Sequence, residues 1–170
     1  KPSERTSSSV RAAAAVSRHL VVLACRMALP DTLGAEELRK AVLELFGVVD
    51  AQVAATGGHV AQRHADGCDI YFGFPSPVDK PVECGCATAL GIVGEMARTK
   101  ARAQRTASTG RMAVAPGLRI GLHSGMAVLG ALGDGGPIVA SGETVRVALR
   151  LQELAGPDEV LITGGDTLEA

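Results

Sequence analysis

The sequence predicts an α/β fold in which helices pack on a largely antiparallel sheet. Three observations carry that expectation. The segment from His19 to Cys25 is a continuous apolar run of strand length, as in a strand buried on both faces. The stretch from Gly57 to Pro75 reads as two short strands turned by Asp66-Gly67, with the glycine taking the positive φ of a tight turn. The remaining periodicities give the order strand, helix, hairpin, helix, hairpin, helix, strand, which is not a regular parallel βαβ series.

Taken in order, Lys1 to Ser17 is polar and then Ser- and Ala-rich, and reads as a linker from an upstream domain. After the central strand and the Pro30-Asp31 break, Ala35 to Ala55 carries Leu38, Val42, Leu45, Phe46 and Val49 at helical spacing, and Gly57-Gly58 ends that helix. The hairpin follows, with Val60, Ile70, Tyr71 and Phe72 as strand formers. Pro81 opens a second helix running to about Ala103, with Ala87, Leu90, Val93 and Met96 facing inward and a basic end that suits the helix dipole. Gln104 to Ala113 is polar and loop-like. Leu118 to His123 and Met126 to Leu132 read as two β runs hinged at Ser124-Gly125, and the turn Gly133-Asp134-Gly135-Gly136 leads to Ile138-Val139-Ala140. A helix from Ser141 or Gly142 to Leu154 places Val147, Leu151 and Leu154 on one stripe, and Val160-Leu161-Ile162 is a last short strand. The domain boundaries are thus a linker at 1–17, one domain at 18–165 and a tail at 166–170.

Composition narrows the function classes. With 170 residues and 46% hydrophobic positions the chain can bury one real core. A formal charge of -1 offers no basic field for nucleic acid, and no apolar run approaches membrane-spanning length. Only 2% of residues are aromatic, so Ala, Val, Leu and Ile fill the core and base-stacking platforms are not expected. Cys25, Cys68, Cys84 and Cys86 lack zinc-finger spacing, and reduced thiols in a cytoplasmic protein are the expectation.

Four stretches fall in one order: the apolar strand to Cys25, Gly57-Gly58 through Phe74-Pro75, Leu118-Arg119-Ile120-Gly121-Leu122-His123-Ser124-Gly125, and Gly142 through Leu151. Over roughly residues 18 to 165 this set resembles the class III nucleotide cyclase homology domain of adenylate and guanylate cyclases. The resemblance implies a ferredoxin-like, palm-type antiparallel sheet with helices packed on it. It also implies formation of a 3′,5′-cyclic nucleotide and pyrophosphate from a nucleoside triphosphate, at sites shared between two subunits. Two aspartates there bind two divalent cations, Mg²⁺ or Mn²⁺, which coordinate the phosphates and promote attack of the ribose 3′-oxygen.

Asp66 matches one metal-binding aspartate, and the other falls on Cys25, whose thiol is a poor magnesium ligand. The phosphate-cradling turn falls on Ala28-Leu29-Pro30, where proline has no N–H to give. The base-selecting positions fall on Gln62, in place of lysine, and on Pro137, in place of aspartate, with Asp134 nearby. On the last helix the ribose-binding asparagine is Arg146, whereas Arg150 matches the arginine that stabilises the transition state. Only Asp66 and Arg150 match, and the losses fall on both half-sites. With each lost group costing on the order of a hundredfold in rate, a homodimer of this chain is expected to be nearly inactive.

Other assignments carry less. Cys25, His64 and Asp66 are all zinc-ligating types, but no fourth ligand can be named. Cys84 and Cys86 stand two apart on a helix and so point to different faces, and His123 reads as structural. The expected function is a catalytically impaired cyclase-homology module that pairs with itself or a related cyclase domain inside a larger signalling protein. The alternative is one half of a heterodimeric cyclase acting on ATP or GTP.

Overall fold

The computed structural model describes residues 15–106 and 116–164. Most of the 1–17 linker, the 166–170 tail and residues 107–113 of the expected polar loop lie outside these residues. The elements are β1 (Val16–Ala28), α1 (Ala35–Thr56), β2 (His59–His64), β3 (Gly67–Phe72), α2 (Pro81–Thr106), β4 (Gly117–Ala131), β5 (Ile138–Ser141), α3 (Glu143–Leu154) and β6 (Glu159–Gly164). One sheet runs in the order β2-β3-β1-β4-β5, antiparallel throughout, and β6 adds parallel to β4. This is the α/β architecture expected from the sequence.

The sheet is covered on both faces because its central strands alternate between two apolar sets. Val21, Leu23, Cys25 and Met27 of β1 meet Val42, Leu45 and Val49 of α1 and Ala89 and Ile92 of α2 in one cluster. Leu20, Val22 and Ala24 meet Tyr71, Ala127, Leu129 and Ala148 of α3 in the other. Among the described residues no helix is long and apolar enough to cross a membrane.

Several local expectations are corrected. β1 begins at Val16, inside the expected linker, because β4 pairs with it from Val16↔Leu129 to Ala28↔Gly117. The ladder, rather than hydropathy, carries its polar start. Likewise β4 is one strand of 15 residues, and Ser124-Gly125 is no hinge. A Cβ on Gly125 would lie 2.6 Å from Thr144 Oγ1, so this glycine admits α3 to the sheet rather than bending the strand. α2 continues to Thr106, and its buried residues are Gly85, Thr88, Ala89 and Ile92, whereas Ala87 and Leu90 are exposed. On α3 the buried residues are Thr144, Ala148 and Gln152, and Leu154 is exposed. Where the helix backbone approaches the sheet most closely, small residues take the inward position: Gly85, Thr88 and Ala89 on α2, Thr144 and Ala148 on α3. A Cβ on Gly121 would collide with the Ala148 carbonyl and the Gln152 amide, and one on Gly85 would lie 2.7 Å from Leu122 Cδ1.

Candidate functional site

The β2-β3 turn is set by Ala65 and Asp66, with His64 paired to Gly67. Gly67 does not have positive φ. Its role is close approach: a Cβ there would run into the Cys25 carbonyl and stand 2.9 Å from Arg26 Cα. Glycine therefore lets the turn fold down onto the end of β1, where the Met27 N–H donates to the Asp66 carbonyl at 2.7 Å. This contact delivers the Asp66 side chain to β1.

The β1 side chain that meets it is Arg26. Its Nη1 donates to the carbonyls of Cys25 and Cys68, each at 2.9 Å, and its Nη2 donates to Asp69 Oδ1 at 2.8 Å. Its Nε lies 3.9 Å from Asp66 Oδ1. His64 Nε2 donates to the other Asp69 oxygen at 2.9 Å. Asp69 is 7% exposed, so this carboxylate is neutralised within the protein rather than by water.

Cys25, the position that the resemblance matches to the second metal-binding aspartate, stands on the other face of β1. It shares the α1/α2 face with Val21, Leu23 and Met27, fully buried beside its register partner Cys68. Successive strand residues point to opposite faces, so Cys25 cannot share the face on which Arg26 reaches Asp66 and Asp69. The hydrogen bond with Cys68, and then burial, push the Cys25 thiol well above the ordinary range, so it is neutral. The position beside Asp66 belongs to Arg26.

Arg26 and Asp66 line a cleft of about 470 Å³ with Ala28 and Leu29, Arg119 of β4, and Gln152 of α3. Arg119 is the register partner of Arg26. Its Nε is buried and has no hydrogen-bond partner among the described residues.

The other expected site residues stand apart from this cleft. Gln62 is on β2 opposite Asp69 in register, and Pro137 is exposed in the loop before β5. Arg146 and Arg150 are exposed on α3, where Arg150 Nη1 donates to Glu153 Oε2 at 3.1 Å. The cleft thus takes in Asp66 and, from the expected phosphate-cradling turn, Ala28 and Leu29, but none of Cys25, Gln62, Pro137, Arg146 and Arg150. The zinc trio does not form, because Cys25 lies in the core and His64 serves Asp69. His123 Nδ1 faces the Thr163 carbonyl at 2.9 Å and ties β4 to β6, as a structural histidine should. Cys84 Sγ contacts the Asp79 carbonyl, while burial raises the Cys86 thiol.

Sequence reasoning missed Arg26, Asp69 and Arg119. The missing signal was strand phase: counted by alternation from the buried Val21, Leu23 and Met27, position 26 rather than 25 faces away from α1 and α2.

The donor set does not fit a divalent cation. Both oxygens of Asp69 are engaged by Arg26 and His64, which leaves Asp66 and, on the α3 wall, Glu153 with one oxygen already on Arg150. A doubly charged ion at Asp66 would stand beside a guanidinium, a repulsion of several kcal/mol at an effective dielectric of about 20. Magnesium requires oxygen ligands in octahedral array, and no group of three or more His, Cys, Asp or Glu that could hold a metal occurs among the described residues.

No protein-family model matches the sequence, and no curated protein does. Solved structures do match. The guanylyl cyclase Cya2 superposes with a TM-score of 0.75 at 17% identity, over 86% of this chain and 75% of that one. The adenylyl cyclase CyaB from P. aeruginosa gives 0.74 at 19% identity, over 88% and 79%. A dimeric guanylyl cyclase domain of the RhoGC fusion protein from the aquatic fungus Blastocladiella emersonii gives 0.71 at 20% identity, over 87% and 81%. With its antiparallel sheet, its two covered faces and its Asp66 hairpin, this chain has the fold of the class III adenylyl and guanylyl cyclase catalytic domains.

Proposed function

We propose that this domain is a cyclase-homology module that pairs with a second such domain and regulates or assembles a larger signalling protein, without turning over nucleotide by itself. The observation that carries the reading is the Arg26 guanidinium, tied to Asp69 and lying 3.9 Å from Asp66 where a catalytic cation would need the carboxylate. Two-metal cyclisation requires a cation on the attacking oxygen and on the phosphates, and a guanidinium cannot coordinate an alkoxide.

Pairing is supported by apolar side chains left exposed along the β4-β5 hairpin. Met126 is 58% exposed, Leu132 70% and Ile138 47%. Met126 and Val128 share one face of β4, beyond the reach of the cluster under α1 and α2. A neighbour of the same fold, the guanylyl cyclase domain of the fungal RhoGC fusion protein, is described as a non-canonical dimer, which supports pairing with a second cyclase domain.

A second reading is favoured by Arg150. It is exposed and, among the described residues, pairs only with Glu153, one turn along α3, a surface pair that a partner's substrate could displace. In that reading the chain is the metal-free half of a heterodimer converting ATP or GTP to cyclic nucleotide.

Assay of the 170-residue chain with ATP or GTP and Mn²⁺, alone and with an intact cyclase domain, separates the two. No product alone, together with self-association in sedimentation that Met126→Glu weakens, supports the module. Product in the mixture that Arg150→Ala abolishes supports the heterodimer half. Turnover by the chain alone sinks both.

A further inference from the structure

Cys25 and Cys68 are register partners on β1 and β3, in the pair next to the turn end of that ladder. Both are fully buried, and their thiols hydrogen-bond to one another. Residues directly opposite in an antiparallel pair stand about 4.5–5.5 Å apart at Cα, inside the span of about 4.4–6.8 Å that a disulfide bridges. Register partners also share a face, here the α1/α2 face with Leu23 and Ile70, so both sulfurs lie on one side of the sheet. Arg26 adds a second constraint, because its Nη1 donates to the carbonyls of both cysteines and so spans the two strands at this pair. Cys84 and Cys86 offer no such pair: they stand two apart on α2 and point to different faces.

A fully buried thiol reacts only after the structure opens, and the ladder sets which part opens. β4 holds the other edge of β1 as far as Ala28↔Gly117. On the hairpin side the register ends at Arg26↔Gly67, and beyond it the Met27 N–H bond to the Asp66 carbonyl closes the turn. Lifting the turn off β1 therefore exposes Cys68 at the cost of two register pairs, without opening the helix layer. The hairpin is the moving part and β1 the fixed one.

We propose that Cys25 and Cys68 are an oxidation site: a low-molecular-weight disulfide converts them to one cross-strand disulfide, which ties the β2-β3 hairpin to β1. In the lifted state the Cys68 sulfur loses its proton and attacks the reagent disulfide, and one reagent thiol departs. The Cys25 sulfur then attacks the Cys68 sulfur of the mixed disulfide, and the second reagent thiol departs with the second proton. Two protein thiols give up two electrons, and one reagent disulfide is reduced to two thiols. The ring so closed runs from residue 25 to residue 68 and contains α1 and β2. A cross-link there removes the lifted states and holds Asp66 at the end of β1. The site lies on the opposite face of β1 from the Arg26 cleft, and it stands apart from the reading of the domain as a pairing module.

The test is equilibration of the folded 170-residue chain, carrying Cys84→Ser and Cys86→Ser, with oxidised glutathione, followed by thiol counting, intact mass and peptide mapping. Expected are loss of both remaining thiols, a mass about 2 Da lower with no glutathione retained, and a peptide joining Cys25 to Cys68. The equilibrium constant for closure should be at least about tenfold larger in the folded chain than in denaturing urea, because the fold supplies the proximity. An equal or smaller constant in the folded chain, thiols that stay free, or glutathione left on either cysteine without a bridge would overturn the proposal. Should the serine variant not fold, the parent chain gives the same reading, since cleavage before Asp69 and Asp79 separates Cys68 from Cys84 and Cys86.

A second measurement reads the consequence for the turn. The Met27 amide, which donates to the Asp66 carbonyl, should exchange its hydrogen at least about tenfold more slowly in the oxidised chain than in the reduced one. Equal or faster exchange would refute the claim that the bond ties the hairpin to β1.

Discussion

The ion pair between Arg26 and Asp69 should behave as a buried pair rather than a surface one. Their side chains are 14% and 10% exposed, and Nη2 donates to Oδ1 at 2.8 Å. Removing one partner of such a pair leaves the other charge desolvated, so Arg26→Met and Asp69→Leu should each cost about 3 kcal/mol of folding stability. Replacing both removes the charges together and exchanges them for apolar contact. The double variant should therefore cost no more than either single one, a coupling of about 3 kcal/mol. Urea denaturation of the four proteins measures this directly, provided the slope of free energy against urea is unchanged. Single losses that add in the double variant to within about 0.5 kcal/mol would refute the buried pair, and with it the claim that Arg26 is fixed in place beside Asp66.

Gly67→Ala should prevent the turn from closing on β1, because the added carbon meets backbone rather than a movable side chain. Loss of about 3 kcal/mol or failure to fold is expected, and an unchanged thermal midpoint would refute it. Tyr71→Phe removes the hydroxyl that accepts the buried Ala140 N–H at 2.9 Å, which should cost about 1–3 kcal/mol in urea; a neutral result would show that the amide finds another partner. Because the Cys68 hydrogen bond and burial hold the Cys25 thiol protonated well above its ordinary range, its contribution to stability is intact below about pH 8.5 and is lost as pH rises beyond it. Cys25→Ala should flatten that alkaline loss, and equal slopes between about pH 8 and 10 in both proteins would contradict the shift.

The elements were legible where local chemistry settles them. The run at Leu20–Cys25, the spacing of Val42, Leu45 and Val49, and Gly57 as a left-handed cap at φ 81° each appear as the sequence implies. The inward faces of α2 and α3 were not legible, because hydropathy favours Leu90 and Leu154 while the close backbone approach at Gly85 and Gly121 favours small neighbours such as Thr88, Ala89 and Ala148. For α3 that approach depends on Gly121 of β4, which no window along the helix contains, and for α2 it depends on which residues of the sheet lie under Gly85. The turn was read correctly as a turn but for the wrong reason, since Gly67 is needed for clearance from Cys25 and not for its φ.

The site depended on phase, and phase fails by whole residues. A shift of one position along β1 exchanges a buried, neutral thiol for a cation, and so reverses the chemistry inferred from the same strand. With Cys25 at the site, the cleft would hold carboxylates and a weak ligand, still in want of a positive charge. With Arg26 there, the positive charge is covalently present and is held by the Cys25 and Cys68 carbonyls whatever ions the solution contains. Asp69 can then be buried on β3 because its counter-charge belongs to the fold, and the hairpin can close on β1 without waiting for a metal. A fold shared with nucleotide cyclases can in this way keep its sheet and its hairpin with a tethered cation, Arg26, standing beside the two carboxylates of the hairpin.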